Sequence, residues 1–552
     1  MDEGRRDATR LATTEEDVID LTDAEVDESP DLEPVPVFQR HGSETYFVIG
    51  EGLLDEGAGP RETALAAVIA ETTPPFRFSR MGPKGTQRQL GGANRAQIAK
   101  AMAVGAGGAS QIPAGFTYLG QFVDHDLTFD KTNVMLGENV SPADLLQARS
   151  PSLDLDSLYG AGPADPKSAK FYRPDGLHLR MGRTVPADGI AGKEGFDLPR
   201  GAGATAAAKR RAIIPDPRND ENLAVAQTHL AFIRFHNRVI DTLGSVPVSK
   251  RFAKARAIVT KHYQWMIRHD FLPRIVPKSV LNDVFNNGRK AFEVGATPAA
   301  IPTMPIEFSV AAYRLGHSMV RAAYNWNKIF DDGFATLDFL FTFSGLSGDL
   351  GGHERLPSNW IADFRRLYDF TEAGRADLAV PEAKFNRAMR IDTRLSKPLR
   401  TLPGFSGAED NLAFRNLTRA KMVTLATGQQ MATFLKGKGV TLTKLTAAQI
   451  RQGQGGADLG GLTQAHRSAM VQNTPLWFYV LREAELNGGK LKGVGARIVA
   501  ETFHRAMEGT KFSIVRDPTW RPKLGPDNTT FRMVDLLLFA FEGKKNLLAP
   551  LG

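Results

Sequence analysis

The chain has 552 residues, 42% hydrophobic and 24% charged, with a formal charge of +8 and no cysteine. That length exceeds one small core and the balance is that of a globular protein; the missing cysteine excludes disulfides, thiolate metal sites, iron–sulfur clusters and a cysteine nucleophile. No run of about 18 apolar residues is present, so no membrane span is expected, and no basic run interleaved with aromatics points to nucleic acid.

Residues 1–34 are acidic and poor in aromatics, and read as a disordered tail. The start, MDEGRRDATRL, lacks the apolar stretch of a signal peptide; cytoplasmic is the default location, with secretion by a non-classical route left open. Residues 35–74 form an N-terminal extension in which Tyr46, Phe47, Val48 and Ile49 suggest a short extended segment. Residues 75–552 read as one large, mainly α domain with little strand. GGANRAQIAKAMAVGAGGAS is a helix with glycine-marked ends. Next comes FTYLGQFVDHDLTFD, 116–130. On a helix Gln121 and His125 share a face, flanked by Asp124 and Asp126. Such a polar stripe among Phe116, Leu119, Phe122 and Leu127 is costly to bury unless paired; a capped, solvent-facing helix is the plain alternative. In RSPSLDLDSLYGAG, the side chains of Ser150, Ser152, Asp154 and Asp156 alternate. An extended segment points them one way, and hard oxygens at that density suit Ca²⁺. An Asx/Ser turn explains the same spacing.

Pro215 and Pro217 mark a turn, followed by Arg218 and Glu221, three apart, which read as a surface ion pair. Leu223, Ala226, Leu230 and Ile233 define the next helix, with His229 and His236 in structural roles. KHYQWMIRHDFLPRIV predicts a helix ending before Pro273. IEFSVAAYRLGHSMVRAAY predicts one apolar helix centred on His317, with Arg314 three residues before it. An imidazole there must be hydrogen-bonded or bind something, and Gly316 lets a flat ligand approach. Residues 331–369 read as loops and short helices. NLAFRNLTRAKMVTL carries Asn416 and Arg419; GQGGADLGG near 453 is a flexible loop without the Gly-Lys-Ser/Thr of a phosphate cradle; NTPLWFYVLREAEL and GVGARIVAETFHRAM are helices.

In this order the motifs resemble the animal-type haem peroxidase family, the peroxidase–cyclooxygenase group, and most closely its bacterial members. The resemblance rests on GQFVDHD at 120–126, SPSLDLDSLYG, Arg218 and Glu221 ahead of RFHNR at 234–238, the Arg314–Gly316–His317 unit and the Asn416–Arg419 unit. It implies haem b. His125 is then the distal base, Arg218 the cation that stabilises O–O cleavage, and Gln121 a distal-pocket residue. His317 is implied as the iron ligand, Asn416 as acceptor of its other ring N–H, and Arg314 and Arg419 as propionate partners. Asp124 and Glu221 match carboxylates the family esterifies to haem, and Asn222 stands where one subgroup has a sulfur-linked methionine, so that link is absent. Asp126 is implied to join Ser150, Ser152, Asp154 and Asp156 around Ca²⁺. The family's R-D-H-G run is replaced by RAKMVTL.

The implied function is peroxidase activity, with a place in the response to oxidative stress. H₂O₂ oxidises the haem by two electrons, which a halide or thiocyanate, or two phenolic molecules, return. A fatty-acid oxygenase is the alternative. It needs a tyrosine three residues before His317, where Arg314 stands; Tyr313 is one residue further back, turned by roughly 100° on a helix. A non-catalytic haem-binding protein is the third reading.

Overall fold

Apolar residues recur at helical spacing through most of the chain, and the structure, a computed structural model, answers with helices around one continuous hydrophobic core. It describes residues 76–552 except 86–89, 133, 135 and 403–406, together with the backbone of two short strands. The acidic tail at 1–34 lies outside the described residues. So does the extension at 35–74, apart from those strands, β1 (Thr45–Val48) and β2 (Gly52–Asp55), which pair antiparallel where an extended segment was expected. Strands elsewhere among the described residues also form only two-stranded pairs. Among those residues no helix is long and apolar enough to cross a membrane.

The helices that frame the site are α1 (Gly92–Met102), α2 (Gly115–Leu127), α3 (Leu223–Thr242), α4 (Val248–Met266), α5 (Leu412–Met422), α6 (Leu476–Glu485) and α7 (Gly493–Glu508). Central to them is α2, which packs against α3 through the stacked rings of Phe122 and Phe232, 4.4 Å apart. Asn222 caps α3 by accepting from the Val225 amide at 2.9 Å.

Two helix predictions differ from the structure. The helix through KHYQWMIRHDFLPRIV does not end before Pro273. It passes through a π-turn at Ile267–Phe271 and resumes at Leu272–Ile275. Pro273, which has no N–H to give, follows closely on the π-turn, the local irregularity by which a continuing helix accommodates it. The segment around His317 is not one helix but three short pieces: Ile306–Ser309, a 3-10 turn at Ala312–Leu315, and Gly316–Met319. The glycine-rich run near 453 is a loop, as expected, but a tightly packed one. A Cβ on Gly453 would lie 1.5 Å from Arg482 Nη1, and the Gln454 amide donates to Glu485 at 2.7 Å.

Gly115 opens α2 against Tyr368, whose hydroxyl donates to the Gly115 carbonyl at 2.8 Å. A Cβ there would lie 2.3 Å from the buried Tyr368 ring. Gly115→Ala is therefore expected to cost about 1–3 kcal/mol by overpacking. Thermal unfolding should show a clear fall in Tm against Gly244→Ala, where a Cβ meets nothing within 4 Å; equal Tm values would contradict this seating of α2.

Candidate functional site

Between α2 and the broken segment at 306–319 lies a cleft that encloses about 690 Å³ of space, open solvent at its mouth included. Its walls are mostly apolar, including Phe116, Tyr118, Phe271 and Leu337. The polar groups on it are Gln121, Asp124 and Asn222 on one side and Arg314 and His317 on the other. A Cβ on Gly316 would meet nothing within 4 Å, so open space adjoins the backbone beside His317.

Behind the Gln121 and Asp124 wall sits His125, fully buried and not itself in the lining. Its Nδ1 lies 2.9 Å from Asn219 Oδ1, which can only accept, so Nδ1 carries the proton. Its Nε2 makes no hydrogen bond among the described residues. Burial, aided by the Arg218 charge, holds the ring down to about 3. Glu221 Oε1 lies 3.6 Å from that Nε2, yet the two are no ion pair. Burial pushes the Glu221 carboxyl well above its ordinary range and the His125 ring below its own, two shifts that both oppose an ion pair. Gln121 links the groups: its Nε2 donates to Glu221 and its Oε1 accepts from Asn222 at 3.0 Å. Burial also raises the Asp124 carboxyl, to about 6.

Arg218 is buried and does not pair with Glu221, nor does it line the cleft. The expected surface ion pair is corrected by the local fold. Residues Pro217–Asp220 form a 3-10 turn capped by Asp216, which puts that carboxylate beside the guanidinium. Asp216 accepts from Arg218 Nε at 3.0 Å and Nη2 at 2.7 Å, and Nη2 also donates to the His125 carbonyl at 3.0 Å. Burial opposes the Asp216 charge, but Arg218 and Arg149 outweigh it and hold the carboxyl below its ordinary range.

The loop at 150–156 curls so that Asp126, Asp154 and Asp156 each bring a carboxylate oxygen within 4.8 Å of the other two. Leu155 adopts φ 61°, a left-handed conformation that turns the chain into the short helix Asp156–Tyr159. Ser150 Oγ donates to Asp154 at 2.9 Å, and Ser157 Oγ donates to Asp126 at 2.7 Å. The Ser152 side chain makes no direct contact of this kind; its amide donates to Ser150 Oγ at 3.3 Å. Burial and the neighbouring carboxylates push Asp126 well up, burial raises Asp156, and Asp156 Oδ1 lacks a hydrogen bond. The fold thus crowds three acids together where burial disfavours the charged forms of Asp126 and Asp156.

Across the cleft, His317 Nδ1 lies 2.8 Å from Asn416 Nδ2. This reverses the expected direction. Asn416 Oδ1 accepts from Arg314, so the amide turns its N–H toward the imidazole and Nδ1 must accept. Arg419 pairs with Asp130 and does not line the cleft. Tyr313 does line it, with its hydroxyl donating to the Gly120 carbonyl at 3.2 Å. Asn219, Asp216 and Arg149 were missed from sequence. Asn219 and Asp216 adjoin or nearly adjoin Arg218, and Arg149 precedes the serine–aspartate alternation; each looked like an ordinary loop residue.

The animal haem peroxidase family model matches residues 128–515, beginning just past His125 and Asp126. A peroxidase-like protein from Margaritifera margaritifera is 30% identical over 114 residues, 20% of this chain and 14% of that protein. Thyroid peroxidase from Rattus norvegicus is 27% identical over 194 residues, 33% of this chain and 20% of that protein. The matched stretches thus span a fifth or less of those relatives' lengths. Peroxidase A from Dictyostelium discoideum superposes with a TM-score of 0.56 at 15% identity, over 86% of this chain and 94% of that one. A fatty acid alpha-dioxygenase from Arabidopsis thaliana gives 0.51 at 13%, over 84% and 77%. Both share the fold. With the family model covering most of its length, the chain belongs to the animal haem peroxidase family.

Proposed function

We propose that residues 75–552 form a haem peroxidase domain that uses H₂O₂ to oxidise small anionic or phenolic donors. The observation that carries this is His125: a buried, neutral imidazole whose proton is pinned on Nδ1 by Asn219, leaving the Nε2 lone pair as a base. Family membership implies haem, and the cleft fits one. It has mostly apolar walls, His317 within the lining, open space at Gly316, and Arg314 for a carboxylate. His317 and Arg314 would hold the haem there, and the haem would supply the iron chemistry that reduces peroxide and oxidises the donor.

The rest is done by side chains. His125 Nε2 takes a proton from peroxide and returns it to the departing oxygen. Arg218 provides the fixed positive charge that keeps His125 neutral and favours charge developing on that oxygen. Gln121 and Asn222 form the polar part of the wall. A propionate that drew Arg314 away from Asn416 would free the amide oxygen to accept the His317 ring N–H. Arg419, held by Asp130, is less well placed for that role. Of the two carboxyls considered for ester links, Asp124 faces the cleft and Glu221 does not, so we assign the attachment to Asp124. The Asp126, Asp154 and Asp156 cluster, with Ser150 and the loop carbonyls, takes Ca²⁺.

Tyr313 supports a second reading. Its place in the cleft wall is what supports this reading; the 3-10 turn that carries it still separates Tyr313 from the Arg314 direction by about 120°.

His125→Ala should lower peroxide turnover by about 10²–10⁴-fold while the Soret band of the haem-loaded protein persists. Unchanged turnover would refute the base assignment. Oxygen uptake with a fatty acid, abolished by Tyr313→Phe, would move the conclusion to the oxygenase. Acid–solvent extraction should release haem from Asp124→Asn and not from Glu221→Gln; the opposite pattern would exchange the two roles. For the cation, the raised carboxyls set the sign. Stability present below the ordinary carboxyl range is lost as pH rises through the raised values of Asp126 and Asp156. A chelator should therefore lower Tm least at the acid end of the protein's stable range and progressively more as pH rises, with Ca²⁺ restoring it; a pH-independent effect would argue against the cluster as the site.

A further inference from the structure

We infer that Arg149 and Asp216 are positioning residues: a buried ion-pair chain through which the acid cluster sets the placement of Arg218. The inference rests on the cation reading above.

Arg149 is wholly buried. Its Nη1 lies 3.4 Å from Asp156 Oδ1 and its Nη2 lies 2.8 Å from Asp216 Oδ2. Asp216, also wholly buried, holds Arg218 by two hydrogen bonds and caps the turn that carries it, accepting from the Arg218 amide at 3.0 Å. Arg218 in turn donates to the carbonyl of His125. The chain thus runs Asp156, Arg149, Asp216, Arg218, His125, without a solvent-exposed member. Both guanidiniums face one ring, Phe129, with Arg149 Cζ at 6.0 Å and Arg218 Cζ at 4.1 Å from its centroid. Phe129 follows α2 by two residues, so the helix end, the acid loop and the Arg218 turn are clasped around a single side chain.

Arg149 has two carboxylates to satisfy and incomplete bonding to each. Its Nε and Nη1 make no hydrogen bond, and Asp156 Oδ1 makes none either. A buried guanidinium shared between two anions responds to a change in either one. A divalent cation on Asp156 would weaken that carboxylate's hold on Arg149 and strengthen the grip of Arg149 on Asp216. Asp216 is the only carboxylate paired with Arg218 among the described residues. The cation loop and the distal site are therefore coupled through side chains as well as through the Asp126–His125 peptide bond.

A double-mutant cycle read by Ca²⁺ affinity, measured calorimetrically on the chelator-stripped full chain, tests this without recourse to turnover. Asp216→Asn should weaken Ca²⁺ binding several-fold, because Arg149 is left to compete for Asp156. Arg149→Met should tighten it. In the double variant the effect of Asp216→Asn should fall below about two-fold, a departure from additivity of three-fold or more. Arg149→Lys keeps the charge but loses the two-pronged reach; it serves if the methionine variant does not fold, and should likewise erase the coupling. Additive effects would overturn the ion-pair chain while leaving the cation site standing. Failure of the wild-type chain to bind Ca²⁺ would overturn both.

Discussion

The site depends on the burial of α2. That helix carries His125 and Asp126 to positions with no exposed surface. Moving a bare charge out of water costs several kcal/mol even after relaxation, so each group must shed its charge or find a partner. His125 sheds it: Asn219 takes the one ring proton and burial resists a second. Asp126 is met by the Ser157 hydroxyl and by the amides of Leu155 and Ser157, all from the segment that carries the other acids. Arg218 and Arg149 share Asp216. The same constraint that makes α2 expensive to bury therefore brings three distant segments, 149–157, 216–222 and α2 itself, into one packed unit. A base that is neutral, oriented and shielded follows from that packing.

Much of this was legible in the sequence where the determinant was a spacing. The four-residue step from Gln121 to His125 predicted a shared face, and α2 spans Gly115–Leu127. Of the four alternating residues before Tyr159, Asp154 and Asp156 converge with Asp126 and Ser150 bonds to Asp154, but by a curled loop and without the Ser152 side chain rather than along an extended segment. Legibility failed where a partner was remote or a turn replaced a helix. Arg149 owes its role to Asp216, 67 residues away, and nothing local in RSPSLD announces it. The three-residue step from Arg218 to Glu221 implied a pair on an α-helix, but Pro217 opens a 3-10 turn in which the Asp216 side chain lies closer. The break in 306–319 carries no proline. It is set by tertiary packing, including the Trp477 indole donating to the Arg314 carbonyl at 3.3 Å, which overrides the apolar periodicity of the segment.

That break matters for the opposite wall. A continuous helix would place Tyr313 about 100° per residue away from neighbouring positions, whereas a 3-10 turn advances by about 120°. The observed turn puts Tyr313, Arg314, Gly316 and His317 all on the cleft. Two of these, Arg314 and His317, make bonds to the same amide, that of Asn416. Asn416 has one oxygen, and Arg314 takes it, so the His317 ring must accept at Nδ1 and its remaining proton rests on Nε2. A metal ligand needs the reverse: a proton on Nδ1 and a lone pair on Nε2. The two arrangements differ by a rotation of one amide, and the group that decides between them is the guanidinium of Arg314. An anion that recruits Arg314 therefore does more than gain a salt bridge; it resets the tautomer of His317. In this chain the tautomer of His317 is thus tied to what Arg314 pairs with.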